Sequence, residues 1–296
     1  MRIARRTFAA AGMAAVALWL TATTPVAHEP SRLVGGVRQH LAQRDETLGG
    51  LAARWGVEAA TLAADNGLGA DARLVIGQLL RIDNRHLVPP MRGAALVVNL
   101  PQRMVFHQRL DGEVTGYPIA IGRADWRTPR GAFTVVNKRL NPTWHVPPSI
   151  LEESRRRGRE QAPVVPPGPA NPLGAHWIGL SLSGIGLHGT NAPTSIYRSA
   201  SHGCLRLHPD DVAALFERVG VGDLGDSRYE PIMVAEVDGR TYLEVHRDVY
   251  RLLRQPPEDI ARAAAAAAGL TWRIDWRAAG EVIAARHGVA RDVTPR

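Results

Sequence analysis

The sequence predicts a mainly β protein with short helices, on three observations. Proline and glycine together make 21 + 29 = 50 of the 296 residues, a density of punctuation that suits strands, turns and loops better than a helical bundle. Between Ala95 and Val136, short apolar runs of strand length recur between turn signals such as Asp111-Gly112. Helical periodicity is confined to short segments. The length suits roughly two domains, and 45% hydrophobic with 22% charged residues argues against a disordered or fibrous chain.

At the start, Met1 to Arg6 is basic, Phe8 to Thr24 carries no charge, and small residues Pro25-Val26-Ala27 follow. That order is a secretory signal, and the uncharged stretch is short of the about 20 apolar residues a membrane span needs. Residues 1–27 are expected to be a signal peptide and the protein to be exported. Residues 35–88 then read as a compact unit. Thr47 caps a helix with Leu48, Leu51, Ala52 and Trp55 on one face, and a second helix near Glu58 to Asp65 stops at Asn66-Gly67. Apolar strands flank the pair, around His40-Leu41-Ala42 and Leu79-Leu80-Arg81-Ile82.

Pro89-Pro90 and Gly93 mark a boundary. Beyond it come strands at Ala95 to Leu100, Met104 to Gln108, Tyr117 to Ile121 and Phe133 to Val136, with a hairpin at Asp111-Gly112. The charged stretch Glu152 to Glu160, with Arg155, Arg156, Arg157 and Arg159, reads as a solvated helix or loop. Five prolines between Pro163 and Pro172 make a rigid loop beside a cleft. Pro209-Asp210-Asp211 opens a helix whose Val212, Leu215, Phe216 and Val219 form an apolar stripe. From 238 to 296 the chain reads as a C-terminal extension, with a strand at Thr241 to His246 and helices at Glu258 to Ala267 and Trp276 to Arg286. Net charge is 36 − 28 = +8. The charges are scattered and no groove-reading module is present, so no nucleic acid partner is expected, whereas an anionic polymer fits the sign.

The chain has one cysteine, Cys204. Exported proteins usually pair their cysteines or lack them, so a lone thiol points to a chemical role. The stretches Gly184 to Thr190 and Ser201 to Leu207 alternate as strands do. Leu187, Leu205 and Leu207 face a core, while His188, Cys204 and Arg206 face a shared cleft. A free thiol is only about 3% thiolate at pH 7. An imidazole within reach takes its proton, holds the thiolate as an ion pair and later protonates a leaving amine. Gly203 lets the backbone approach closely, so amides around Gly203 and Cys204 are expected to bind a developing oxyanion. His202 reads as solvent-facing or supporting, and His208 and His176 as ordinary surface or core histidines.

The composite of His188-Gly189-Thr190, ten residues, then Ser201-His202-Gly203-Cys204-Leu205-Arg206-Leu207 resembles the L,D-transpeptidase family, the YkuD-type catalytic domain. Asn141-Pro142-Thr143-Trp144, the proline run with Asn171-Pro172-Leu173-Gly174, and Tyr242 to His246 resemble its ErfK/YbiS branch. Residues 93–237 are then expected to form a YkuD-type β-sandwich or barrel. The unit at 35–88 resembles a βααβ LysM module through Glu46-Thr47-Leu48, Leu51-Ala52, Asp65-Asn66 and Ile76-Gly77-Gln78-Leu79 with Ile82. There Asp45-Glu46 stands where Gly-Asp is usual, and His40 where an aromatic is common. The LysM family binds N-acetylglucosamine-containing polymers, chiefly peptidoglycan.

The resemblance implies roles by position. Cys204 is the nucleophile and His188 its acid/base partner; the Gly189 carbonyl orients the imidazole, and Ser201 and Gly203 shape the oxyanion pocket. Arg206 fixes its strand or meets a substrate carboxylate, and Trp144 and Asn191 are candidate substrate contacts. The implied enzyme is periplasmic. It takes the stem tetrapeptide of peptidoglycan as donor, releases D-alanine through a Cys204 thioester, and joins the stem to an amine. That amine belongs to a second stem, giving a 3-3 cross-link, or to a lysine of an outer-membrane lipoprotein. No metal or organic cofactor is implied. The alternatives are a thiol hydrolase, in which water resolves the thioester, a zinc peptidase drawing on His188, His202, Cys204 or His208, and a non-catalytic wall-binding protein.

Overall fold

A computed structural model describes residues 32–296; the expected signal peptide lies outside the described residues. No described helix is long and apolar enough to cross a membrane.

In the front unit, strands Val37–Leu41 and Leu79–Asp83 pair antiparallel with His40 opposite Leu80. Helices α1 (Leu48–Trp55) and α2 (Ala59–Ala64) pack with them through Leu48, Leu51, Leu62, Leu80 and Ile82. Thr47 Oγ1 accepts from Gly50 N at 3.0 Å to start α1, and left-handed Gly56 ends it. The two departures noted in this unit answer each other: Glu46 Oε2 lies 2.7 Å from His40 Nε2 and accepts from Gln43 N at 2.8 Å. Asp45 takes the left-handed backbone, φ +65°, that glycine usually supplies and aspartate tolerates.

The second unit is a closed sheet. Val114–Gly122 pairs on one edge with Leu205–Leu207 and on the other with Met104–Gln108, so eight strands return on themselves, and the short strand Ser199–Ser201 is appended outside the ring. Closure leaves no free edges, and alternate residues fill the interior, among them Leu96, Val98, Ile119, Phe133, Ile178, Leu187, Leu205 and Leu207. Helix α3 (Pro148–Arg156) stands beside the barrel, and α4 (Pro209–Arg218) packs on it through Val212, Leu215 and Phe216. Strand Gly186–His188 runs parallel to Leu205–Leu207, with Leu187 opposite Leu205 and His188 opposite Arg206.

The third unit begins at Ile232, earlier than the expected boundary after 237. Strands Ile232–Val237 and Arg240–Val245 are the two arms of one hairpin, in register from Ile232–Val245 to Val237–Arg240, so a cut there divides a single element. Ala290–Asp292 adds a third strand, and helices α5 (Pro257–Ala267) and α6 (Trp276–Ala285) cover the sheet.

This unit ties the other two together. Val289 is fully buried within the core of the front unit. Arg291 Nη2 donates to both Asp65 oxygens at 2.9 and 2.8 Å, and its Nη1 to Asp83 Oδ2 at 3.0 Å. Glu244, fully buried, meets four donors. Its Oε1 lies 2.7 Å from His86 Nδ1 and 2.8 Å from His246 Nε2, and accepts from Gln102 Nε2 at 3.0 Å; its Oε2 accepts from Leu87 N at 2.5 Å. Burial alone would raise this carboxyl, but the His86 charge and the hydrogen bonds from His246 and His86 outweigh it and hold Glu244 at about 2.

Candidate active site

A cleft of about 590 Å³ opens on one side of the barrel and brings Cys204, His188, His202 and Arg206 together with Trp144 and the α3 residue Glu153. Strand alternation explains the pairing: Leu187 and Leu205 turn into the barrel, which sends His188 and Arg206 to the other face. That face is also covered, because His188 is buried under Trp177, whose ring stacks at 5.9 Å. Gly186 makes room for that indole, since a Cβ there would come within 2.6 Å of it.

His188 Nδ1 lies 2.6 Å from Gly189 O. A carbonyl only accepts, so Nδ1 carries the proton and Nε2 presents its lone pair. Burial, reinforced by the Arg206 cation, brings His188 down to about 4 against the pull of the Gly189 and Leu173 carbonyls. Burial likewise pushes the Cys204 thiol up, although the Gly186 backbone and Arg206 favour the thiolate. Both shifts favour the uncharged forms, a neutral thiol and a neutral imidazole in one cleft. The sequence leads to the expectation of an ion pair, whereas the burial of both groups works against their charged forms. Accordingly, Cys204 Sγ donates to Gly184 O at 3.4 Å, and among the described residues no hydrogen bond joins it to His188.

The loop that carries Cys204 is pinned from two sides. Ser201 Oγ donates to Cys204 O at 2.5 Å and accepts from Gly203 N at 3.1 Å. The Gly203 amide, expected as an oxyanion donor, is thus already engaged, while Cys204 N–H meets no acceptor among the described residues. Gly203 has φ +109°, a conformation that favours glycine. Its carbonyl accepts from Thr128 Oγ1 at 2.8 Å, and Thr128 N in turn donates to the buried Tyr250 hydroxyl at 3.2 Å.

The remaining site expectations divide. Trp144 lines the cleft. Asn191 is not among the residues that line it; it is exposed, with Nδ2 donating to Ala170 O at 3.3 Å. The charged run at 152–160 is not simply solvated. Its Glu153 is buried, accepts from Arg123 Nη2 and pairs with Arg157, both at 2.7 Å, and bonds His202. Thr128, Glu153, Trp177 and Tyr250 carry no local motif. Only the proline run, read as a loop beside a cleft, hinted at this wall, and Pro172 does line it. The zinc reading finds no convergent ligands here. Among the described residues, the one group of three such side chains with ligand atoms within 4.8 Å is His86, Glu244 and His246.

Residues 93–234 match the L,D-transpeptidase catalytic domain, YkuD, and residues 40–83 the LysM domain. The probable L,D-transpeptidase YcfS of Escherichia coli K12 is 36% identical over 256 residues, 83% of this chain and 80% of that one. The chain belongs to the L,D-transpeptidase family. ErfK/SrfK of the same organism is 34% identical over 241 residues, 78% of this chain and 76% of its own. Among solved structures, an L,D-transpeptidase from Stackebrandtia nassauensis is 22% identical with a TM-score of 0.33, covering 48% of this chain and 58% of that one. As an L,D-transpeptidase the protein is a cysteine-dependent acyltransferase with a barrel-type core, and both matched domains go with peptidoglycan binding and an extracytoplasmic role.

Proposed function

We propose that this L,D-transpeptidase works in the periplasm on the stem tetrapeptides of peptidoglycan, with Cys204 as nucleophile and His188 as acid and base. The carrying observation is the free Nε2 of His188, fixed by the Nδ1–Gly189 hydrogen bond, in one cleft with the chain's sole thiol. The thiol turns from Gly184 O, gives its proton to Nε2, and attacks the carbonyl that links the diamino acid to the terminal D-alanine. The oxyanion takes the Cys204 N–H. His188 returns the proton to the departing D-alanine amine as the C–N bond breaks, leaving a thioester. An acceptor amine then attacks, its proton passes to His188, and the released sulfur recovers it. The front unit holds the glycan. The acceptor is the amine of a second stem or the C-terminal lysine of an outer-membrane lipoprotein.

The test is mass spectrometry of wall digests incubated with the wild-type protein or Cys204→Ala, with and without a labelled amine. Free D-alanine and a joined peptide from the wild type alone are expected. Undiminished turnover by Cys204→Ala would overturn the nucleophile assignment, and hydrolysed stem with no joined product would make the enzyme a hydrolase.

A further inference from the structure

Four side chains of the cleft lie in one row across four adjacent strands. Arg139 is in register with Trp177, Trp177 with His188, and His188 with Arg206. Paired residues share a face of a sheet, and all four line the cleft. Adjacent strands lie about 4.8 Å apart, so three steps set the two arginine backbones on the order of 14 Å apart, with the imidazole between them. An extended peptide rises about 3.3 Å per residue, so the row is roughly as long as four residues.

Neither arginine has a carboxylate partner among the described residues. The cleft's single acid, Glu153, is engaged by Arg123, Arg157 and His202. A guanidinium fork left unpaired beside a half-buried site fits a carboxylate ligand, which it grips through two parallel hydrogen bonds. Arg206 lies two residues from Cys204, at the thiol end of the row. Arg139, exposed, lies past His188 and Trp177 at the other end of the row.

We infer that this row is a two-ended gauge that selects stem tetrapeptides by their free carboxylates. Arg206 takes the terminal carboxylate, and Arg139 takes the α-carboxylate of the γ-linked D-glutamate at the second position. The inference rests on the proposed activity toward stem tetrapeptides. Stems amidated at the second position are poorer substrates, because Arg139 then faces a neutral amide.

The test uses two synthetic tetrapeptides, one with the second-position carboxylate free and one with it amidated. Release of D-alanine is measured for the wild type, Arg139→Gln and Arg139→Lys, and binding is measured by calorimetry on Cys204→Ala and on Cys204→Ala/Arg139→Gln. Losing a charge-assisted contact predicts that the wild type favours the free carboxylate by about tenfold or more, carried by KM rather than kcat. The preference collapses toward unity in Arg139→Gln and partly returns in Arg139→Lys. Calorimetry shows the same ratio in Cys204→Ala and its loss in the double variant. D-alanine released equally from both peptides, with equal binding, overturns the gauge and leaves the activity standing. Selective binding without D-alanine release by the wild type overturns the activity and leaves the gauge standing.

Discussion

The protonation state of Cys204 sets the reactivity of the free enzyme, and alkylation kinetics read it directly. Only the thiolate reacts with iodoacetamide at an appreciable rate. An ordinary thiol is only about 3% ionised at pH 7, and burial lowers that fraction further for Cys204. The alkylation rate should therefore rise about tenfold between pH 7 and 8, continue to rise to pH 9, and reach no plateau below that. His188, neutral above about 4, adds no step in this range. Because Cys204 is the only cysteine, intact-mass spectrometry follows its modification without interference. A rate that is flat from pH 5 to 8 would mean a preformed thiolate–imidazolium pair and would refute the argument that burial keeps both groups neutral. Acylation by substrate then depends on proton transfer during attack, which His188 Nε2 is placed to accept.

Two further perturbations probe the scaffold. Glu244→Gln places an amide donor against the donors around the buried carboxylate and should cost about 3–5 kcal/mol, a fall of roughly 6–20 °C in Tm by scanning calorimetry at pH 7. Since Glu244 is held at about 2 against its ordinary 4.5, its contribution is complete above pH 4.5 and is lost as pH falls through 2. The variant's stability curve should lack that acid limb, and an unchanged Tm at pH 7 would refute the ion-pair account. Tyr250→Phe removes the hydroxyl that donates to Gly122 O at 2.8 Å and accepts from Thr128 N. It should cost about 1 kcal/mol of stability and lower kcat severalfold with KM unchanged, because the nucleophile loop loses its second support. Equal kcat in a steady-state assay would show that Thr128 holds Gly203 without help.

Much of the fold was legible because its signals are local. Thr47 caps α1, Asp111-Gly112 turns the hairpin of Met104–Gln108 with Val114–Gly122, and the alternation through Leu187-His188 and Leu205-Arg206 puts the leucines in the core. What escaped depended on partners distant in sequence. Glu153 sits in a run that looks like a solvated face, and only its pairing with His202, 49 residues on, makes it part of the cleft. Arg139 and Trp177 join the site through strand register, which no motif encodes. The Gly203 amide looked available until Ser201 Oγ was found on it. Asn191, next to the histidine segment in sequence, turns away to Ala170. The burial that pushes the Cys204 thiol up is a property of the assembled cleft and not of the residues beside Cys204 in sequence.

The placement of Val289 has a consequence for biogenesis. It packs in the core of the front unit, yet follows that unit's strand Leu79–Asp83 by 289 − 83 = 206 residues. Until Val289 is in place, the earliest-made portion lacks one of its buried core residues. Its assembly is finished by the latest-made portion, so a product that stops short of Val289 is left with a vacancy at its leading end, and excising that end as a portable adhesion tag exposes the same gap.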